Sequence, residues 1–188
     1  AVEIDPNDAD AFYLLGAMFE NQAWEGQVEQ VDPADARLAQ AATALEKAVS
    51  LRPNFSQAQF ALGNVYMQQE VYEKAALAWE AAVAAGPPEQ SHLAALAHAY
   101  SKLGRHADEA SAYEQALALG DDANLRTFLG LSYLQQGKTD AAIAEYQHAL
   151  TLDPANSLAH LGLAEIYDAQ GKLAEAAAEY EQVLALGD

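Results

Sequence analysis

The tripeptide Gly137-Lys138-Thr139 has the residue types that close a phosphate-binding loop. That loop needs a further glycine five residues before Gly137, and position 132 is a serine. The loop must also follow a strand, whereas the residues before Gly137 repeat with helical spacing. The tripeptide therefore predicts a turn between two helices, with Thr139 near the start of the second.

Metal-binding residue types are present without the spacing of a metal site. Asp5, Asn7 and Asp8 offer oxygen atoms that suit calcium, but the calcium-loop spacing and its distant glutamate are missing. The histidines do not follow the HxxxH or HExxH spacing of zinc sites; they lie at positions 92, 98, 106, 148 and 160. Cysteine is absent, and no nucleophile elbow or dinucleotide loop occurs. We therefore expect no metal, no cofactor and no catalytic centre in this chain.

The net charge of the chain limits the classes of partner that it can bind. Among 188 residues, 28 are acidic and 9 are lysine or arginine, which gives a net charge of −19. Such a field repels nucleic acid and favours basic partners, although acidity also serves simply to keep a helical protein soluble. No apolar run reaches the ~20 residues that span a membrane, and the first residues do not resemble a signal peptide. The sequence does not decide the cellular compartment, although it slightly favours the cytoplasm over the periplasm.

A repeated pattern organises the sequence. Five segments share a leucine, a small residue directly after it and an aromatic residue four positions after the leucine. The leucines are Leu15, Leu62, Leu96, Leu129 and Leu163, the small residues are Gly16, Gly63, Ala97, Gly130 and Ala164, and the aromatics are Phe19, Tyr66, Tyr100, Tyr133 and Tyr167. Successive aromatics are 47, 34, 33 and 34 residues apart. A period of this length indicates a repeat architecture.

Each repeat contains two segments whose apolar residues recur at three- and four-residue steps, which predicts two amphipathic helices. Prolines stop the second helices or begin the turns after them; they include Pro6, Pro53, Pro87 and Pro154. Residues suited to N-caps precede the next helices, namely Asp8, Asn54, Asp122 and Asn156. One helix pair cannot bury its apolar face alone, so the pairs must stack into a solenoid.

The pattern resembles the tetratricopeptide repeat over essentially the whole chain. The resemblance implies an all-α, right-handed superhelical solenoid of antiparallel helix pairs. Because the chain begins inside a repeat and ends without a polar capping helix, we expect it to be a piece of a longer protein. Two departures from the family pattern are Glu70, at a turn position that is usually glycine, and Glu109, where a small residue is usual. The repeats would span 9–55, 56–89, 90–122, 123–156 and 157–188, after the end of a preceding repeat at 1–8.

In this family the first helices of the repeats line a concave groove that binds a peptide or a partner helix. Some members hold a C-terminal carboxylate there with lysine, asparagine and arginine, but only Asn64 fits that pattern. The groove is apolar and aromatic with acids at both ends, which suits an amphipathic helix or an apolar segment; alternatively, some of these side chains merely pack within the solenoid. The resemblance places on the groove Tyr13, Ala17, Glu20, Phe60, Asn64, Met67, Ala94, His98, Ser101, Thr127, Leu131, Leu134, Leu161, Glu165 and Asp168.

An insertion at about 23–35 makes the first repeat longer than the others. Asp32 and Pro33 suit the start of a second helix, which would leave the residues before them as a loop. An exposed tryptophan would be unusual, so we expect residues 23–32 to fold over the end of the first repeat with Trp24 at least half buried. The alternative is that Trp24 contacts a partner.

The sequence favours a non-catalytic scaffold for protein–protein interaction that binds a peptide or a partner helix in its groove. One alternative is the recognition arm of a larger enzyme, such as a glycosyltransferase or peptidase, whose catalytic domain lies outside this chain. Another is a solenoid that self-assembles through its open ends. The partner would be a protein or peptide, basic or amphipathic, and neither nucleic acid nor membrane insertion is expected. We also expect Phe60, Met67, Leu131 and Leu134 to stay partly exposed in the groove.

Overall fold

The computed structural model describes residues 5–24 and 36–187. Within those residues the regular structure is ten α-helices, without a strand. The predicted all-α class is therefore confirmed. In chain order the helices are α1 (Ala9–Trp24), α2 (Ala36–Leu51), α3 (Ser56–Gln68), α4 (Tyr72–Ala85), α5 (Gln90–Lys102), α6 (His106–Leu119), α7 (Ala123–Gln135), α8 (Thr139–Leu152), α9 (Ser157–Ala169) and α10 (Leu173–Leu186).

The chain divides into two compact units, residues 1–103 and residues 104–188. In the first unit α1 packs on α2 and α3 packs on α4, while α2 contacts α3 and α4 contacts α5. In the second unit α7 packs on α8 and α9 packs on α10, while α6 contacts α7 and α8 contacts α9. Within each unit a helix therefore contacts chiefly its neighbours in sequence, which is the packing of a helical-repeat array.

The leucines and small residues of the repeat form the core of each unit. The small residues allow close approach, because a β-carbon at Gly130 would lie 2.8 Å from the Tyr146 ring. A β-carbon at Gly162 would lie 2.6 Å from the other edge of the same ring. An aromatic ring of the second helix thus fills the space that a small residue on the first helix leaves. Buried on the first helices are the repeat leucines Leu62, Leu96, Leu129 and Leu163, each beside a buried glycine or alanine.

A tyrosine hydroxyl links neighbouring repeats at three junctions. Each tyrosine is the repeat aromatic of a first helix, and each glutamate lies on the second helix of the preceding repeat. Burial and the Glu114 carboxylate raise the pKa of Tyr133 to about 12. The aromatic position therefore fills the junction and also bonds across it. The hydroxyls donate from Tyr66 to Glu46, from Tyr100 to Glu80 at 2.6 Å, and from Tyr133 to Glu114 at 2.7 Å.

Side-chain caps occur at three of the four predicted helix starts. Asp8, Asp122 and Asn156 each accept a backbone N–H of the first helical turn at 2.9 to 3.1 Å. The prediction for Asn54 is wrong, because α3 begins after Phe55 and has no side-chain cap. The Phe55 ring is buried in a core cluster of the first unit, so packing rather than capping decides the conformation at this helix start.

The turns inside the helix pairs share one left-handed backbone position. Gly104, Gly137 and Gly171 have φ values of +68°, +74° and +73°, and Glu70 has a φ of +60°. This region costs a residue with a β-carbon roughly 1–2 kcal/mol relative to glycine. The departure at Glu70 therefore keeps the turn and places a glutamate in a strained conformation.

The second departure, Glu109, is a buried carboxylate with a partner. It is 3% exposed, and its Oε2 lies 2.9 Å from Nδ1 of His106, one turn earlier on α6. Burial and then the Glu109 charge raise the pKa of Tyr113. A satisfied polar contact thus replaces the small residue of the family pattern.

Most of the insertion in the first repeat lies outside the described residues. Helix α1 continues through Trp24, so the first two residues of the predicted insertion belong to this helix. Residues 25–35 and the side chain of Trp24 are not described. The expected fold of residues 23–32 and the burial of Trp24 therefore stay predictions.

Candidate functional site

A polar cavity of about 290 Å³ lies between α1, α3 and α5 in the first unit. Five residues predicted for the groove line it together: Tyr13, Ala17, Glu20, Phe60 and Asn64. The repeat register thus brings side chains from separate first helices to one cavity, although their role in binding stays a prediction. The other lining residues are Ser56, Gln57, Ala61, Glu89 and His92.

Glu20 forms a partly buried, acceptor-rich corner of this cavity. Gln68 Nε2 donates to Glu20 Oε1 at 3.1 Å. Burial raises the pKa of Glu20, and the hydrogen bond from Gln68 opposes that rise. The other polar atom of this amide, Gln68 Oε1, is buried without a hydrogen-bond partner among the described residues. The corner therefore has more acceptor capacity than the described protein groups use.

His92 forms a second wall of the cavity. It is 8% exposed, and its ring centroid lies 4.2 Å from that of Phe60. Its Nδ1 is buried without a hydrogen-bond partner among the described residues. Its Nε2 lies 3.8 Å from Glu89 Oε2, too far for a hydrogen bond. A buried polar atom without a hydrogen-bond partner lowers the free energy of unfolding by about 1–3 kcal/mol. Here that atom belongs to a residue that lines the cavity.

Trp79 on α4 positions the wall that α3 contributes. Its indole N–H donates to the Phe60 carbonyl at 3.1 Å, and its ring centroid lies 6.2 Å from that of Phe60. The indole also packs so closely on Gly63 that a β-carbon there would overlap it. Because Trp79 is 3% exposed, the core itself holds the face of α3 that presents Phe60 and Asn64.

The second unit has a more apolar counterpart. Leu131 on α7 is 43% exposed, and Leu134 and Leu161 are half-buried. Leu134 and Glu165 line a cavity of about 330 Å³, together with Thr139, Ile166, Ala169 and Gln170. This face therefore offers chiefly aliphatic contact with one carboxylate beside it.

Most of the predicted groove residues are accessible. Phe60, Met67, Leu131 and Leu134 are at least partly exposed, as expected, while their place in a binding groove stays a prediction. Thr127 is the exception, because it is 4% exposed and its hydroxyl donates to the Ala123 carbonyl of its own helix at 2.8 Å. This burial and the bond within its own helix leave little of Thr127 accessible to a ligand. Exposed or half-buried as well are Ala94, His98, Ser101, Leu161, Glu165 and Asp168.

Sequence reasoning missed Gln68 and Glu89 and considered His92 only as a metal ligand. Gln68 lies four residues after Asn64, so helical spacing puts both residues on one face of α3. His92 lies four residues before Leu96, which places it on the buried face of α5. A histidine on a buried face needs hydrogen-bond partners, and that requirement was the available signal.

The side chains around the polar cavity are of types that recognise ligands noncovalently. Among residues 5–24 and 36–187, no group of three or more histidine, aspartate or glutamate side chains could hold a metal ion. No helix in this part of the chain is long and apolar enough to cross a membrane. Aromatic rings, carboxylates, amides and a histidine around a cavity suit recognition through stacking, charge and hydrogen bonds.

Comparison with known proteins identifies repeats along most of the chain. A family model described as "Tetratricopeptide repeat" matches residues 34–91, 60–124, 94–157 and 128–188. No protein among those with curated functions matches the sequence significantly. The match extends over both units, which agrees with the repeat pattern read from the sequence.

Solved structures share the fold at low sequence identity. YrrB, described as a TPR protein with an unusual peptide-binding site, is 19% identical, with a TM-score of 0.80 over 96% of this chain and 87% of that chain. MamA is 19% identical, with a TM-score of 0.81 over 99% of this chain and 96% of that chain. MamA 41-end from Desulfovibrio magneticus RS-1 is 16% identical, with a TM-score of 0.81 over 99% and 97%.

At these identities the solved structures show the fold alone. Proteins with this fold are generally scaffolds for protein interaction and are typically non-catalytic. The family match, the ten helices and the shared fold together show that the chain belongs to the tetratricopeptide-repeat family.

Proposed function

We propose that this chain is a scaffold that binds an extended peptide, or a helix of a partner protein, on the faces of its first helices. The observation that supports this most strongly is the exposure of apolar side chains along those faces. Leu131 is 43% exposed on α7, and Phe60, Met67 and Leu134 are half-buried. Exposed apolar side chains beside a cavity are typical of surfaces that receive side chains of a partner.

The charge of the chain favours a basic or amphipathic partner. The net charge is −19, and acidic residues border both cavities: Glu20 and Glu89 in the first unit and Glu165 in the second. Lysine and arginine side chains beside apolar anchors would complement this arrangement. Added salt should weaken such binding, since charges that interact across solvent are screened beyond about 8 Å at physiological ionic strength.

Selection of peptides from a phage-displayed random library on the whole immobilised chain tests this proposal. The selected peptides are then titrated by fluorescence polarisation against the unchanged chain and against Met67→Glu and Leu131→Glu. We expect at least one of these substitutions to weaken each peptide by about tenfold or more, because burial of one apolar side chain contributes ~1.5–3 kcal/mol.

Leu77→Glu is the matched control. Leu77 is 64% exposed on α4, a second helix, so the substitution adds the same charge at an open position away from the proposed face. It should leave the affinity unchanged. The proposal fails if the library yields no binding peptide, or if Leu77→Glu weakens binding as much as the other two substitutions do.

Self-association is a second candidate function, favoured by exposed leucines on α10. Leu173 is 67% exposed and Leu184 is 71% exposed. Between α1 and α2 lies an apolar cavity of about 590 Å³, lined in part by Phe12 and Phe19, and its apolar walls suit leucine side chains. Sedimentation velocity over a concentration series tests this, with Leu184→Glu expected to remove any assembly. A monomer at every concentration would exclude it.

A further inference from the structure

We propose that the polar cavity between α1, α3 and α5 binds an arginine side chain of the peptide that occupies the first-helix face. This inference rests on the proposed function and assigns a chemistry to one subsite of it. The carboxylates of Glu20 and Glu89 lie on the lining, and none of the described lining residues is a lysine or arginine. A cation therefore finds two opposite charges here, whereas an anionic group would meet two like charges.

Unsatisfied buried atoms supply an independent reason to expect a ligand. Gln68 Oε1 and His92 Nδ1 are the buried side-chain polar atoms without a hydrogen-bond partner among the described residues. His92 lines the cavity, and Gln68 is bonded to Glu20 on the lining. Native proteins rarely leave such atoms unpaired, because each costs free energy. One of these atoms belongs to a residue on the lining, and the other belongs to a residue bonded to the lining, which indicates that the missing partner comes from outside the chain.

The shape and chemistry of the walls favour a guanidinium group over an ammonium group. Tyr13 and Phe60 offer aromatic surface, and the Phe60 ring packs against His92 at a centroid distance of 4.2 Å. A guanidinium group is planar, stacks on aromatic faces and presents five N–H donors in a fixed plane. It can bond to a carboxylate and an amide oxygen at once, whereas a lysine ammonium is a strongly hydrated point charge that stacks poorly.

The environment of Glu20 supports the same assignment. Burial raises the pKa of Glu20, so the charged carboxylate is held at a cost when no cation is present. A residue kept for stability would lower stability when neutralised. Glu20→Gln should instead leave the melting temperature unchanged or raise it, while the affinity for a cation falls.

The probe is N-acetyl-arginine methylamide, titrated into the whole isotope-labelled chain and followed by NMR. The comparison compound is N-acetyl-citrulline methylamide, which has nearly the same shape and no charge. We expect saturable shifts confined to α1, α3 and α5, and binding of the citrulline compound weaker by about tenfold or more, since a charge-assisted pair becomes a neutral one. The corresponding lysine compound should bind more weakly than the arginine compound.

Variants then assign the effect to the two carboxylates. Glu20→Gln and Glu89→Gln should each weaken the arginine compound, and the double variant should abolish its detectable binding. Glu89 has no side-chain capping bond, so its neutralisation removes no helix cap. Glu73→Gln, at an exposed position on α4, is the control with the same change of charge and should leave the binding unchanged.

Equal binding of the arginine and citrulline compounds would overturn the inference, as would full affinity in the double variant with an unchanged melting temperature. These failures differ from failure of the proposed function. If library peptides bind at Leu131 or Met67 without any enrichment of arginine, the peptide-binding proposal stands and the arginine subsite falls. If the arginine compound binds and no peptide does, the subsite stands and the peptide-binding proposal falls.

Discussion

Two buried histidines, one in each unit, show how the units differ. His160 on α9 is 9% exposed and both of its ring nitrogens have partners: Nδ1 lies 2.6 Å from Glu179 Oε2 and Nε2 lies 3.1 Å from the Pro154 carbonyl. His92 on α5 is buried to the same degree, yet its Nδ1 has no partner among the described residues. Burial alone therefore does not separate a structural histidine from one at a candidate site. The separation comes from which hydrogen bonds the protein itself completes.

The same contrast extends to other polar groups of the second unit. The buried Ser132 hydroxyl donates to the His106 carbonyl at 2.9 Å, and the Asn156 side chain caps α9. Glu109 contacts His106, so this buried carboxylate is paired as well. The second unit uses its buried polar groups for packing, whereas the first unit keeps unsatisfied ones beside a cavity.

Replacement of each histidine by leucine should produce the largest difference. His160→Leu removes one bond to a carboxylate and one to a carbonyl, so we expect a loss of about 2–4 kcal/mol in the free energy of unfolding. His92→Leu removes an unsatisfied group, so stability should stay within about 0.5 kcal/mol or rise. Urea denaturation of both variants measures this. Equal losses would remove the distinction between the two histidines.

Substitution of the close-approach glycines should come next. Gly63→Ala drives a β-carbon into the buried Trp79 indole, and Gly130→Ala places one 2.8 Å from Tyr146. Each should lower the free energy of unfolding by about 1–3 kcal/mol through overpacking. Only Gly63→Ala should also weaken the arginine compound, because Trp79 holds the Phe60 wall.

Gly86→Ala is the control for both glycine substitutions. A β-carbon at Gly86 would find its nearest neighbour at 3.8 Å, an ordinary contact distance. Its unfolding free energy should match that of the unchanged chain. If Gly63→Ala proved as benign as Gly86→Ala, the contact between Trp79 and α3 would not determine the shape of the cavity.

The turn at Glu70 gives a smaller effect in the opposite direction. Val71 N–H donates to the Tyr66 carbonyl at 2.9 Å, and Lys138 N–H donates to the Tyr133 carbonyl at 2.9 Å, so the turns of the two units share one hydrogen-bond geometry. Only the residue in the left-handed position differs. Glu70→Gly should therefore raise the free energy of unfolding by about 1 kcal/mol.

Two further variants separate backbone strain from side-chain effects. Glu70→Ala keeps the β-carbon and should give no comparable gain. Gly137→Glu should lower stability by about the amount that Glu70→Gly raises it, because it imposes the same strain on the second unit. A gain in Glu70→Ala equal to that in Glu70→Gly would assign the effect to the glutamate charge. Thermal melts of the three variants decide this.

The helices and turns could be predicted from the sequence because the residue pattern that specifies them recurs in each repeat. A leucine beside a small residue marks the core of every first helix, and the left-handed turn position is marked by glycine in three pairs and by its absence at Glu70. Asn54 shows the limit of such local patterns. It has the residue type of a cap, but burial of the Phe55 ring fixes the helix start instead.

The candidate site could be predicted only in part, since it depends on contacts between repeats. The resemblance gave helix faces, and Tyr13, Glu20 and Phe60 do line one cavity. The hydrogen bond from Gln68 to Glu20 joins residues 48 positions apart, so no local sequence pattern predicts it. Thr127 occupies a groove position in the pattern and is buried in the structure, because its own helix satisfies its hydroxyl.

The smallest effect concerns a feature that both units share, the tyrosine–glutamate bond between repeats. Tyr133→Phe removes the hydroxyl that donates to Glu114 at 2.7 Å. The bond lies at an exposed position, so the loss at neutral pH should be less than about 1 kcal/mol. Tyr100→Phe removes the corresponding bond to Glu80 in the first unit and should cost more, because that bond is partly buried.

The pH dependence of the Tyr133→Phe effect identifies its cause. The folded protein raises the pKa of Tyr133 to about 12, first by burial and then through Glu114, whereas an unfolded tyrosine titrates near 10. The folded state therefore favours the protonated phenol, and its contribution to stability is fully present below pH ~10 and is lost as the pH rises through about 12. Urea denaturation of the unchanged chain and of Tyr133→Phe, from neutral pH to pH 12, should show the stability advantage of the unchanged chain decreasing across that window. A difference that stayed unchanged up to the upper limit would contradict the raised pKa of Tyr133 in the folded protein.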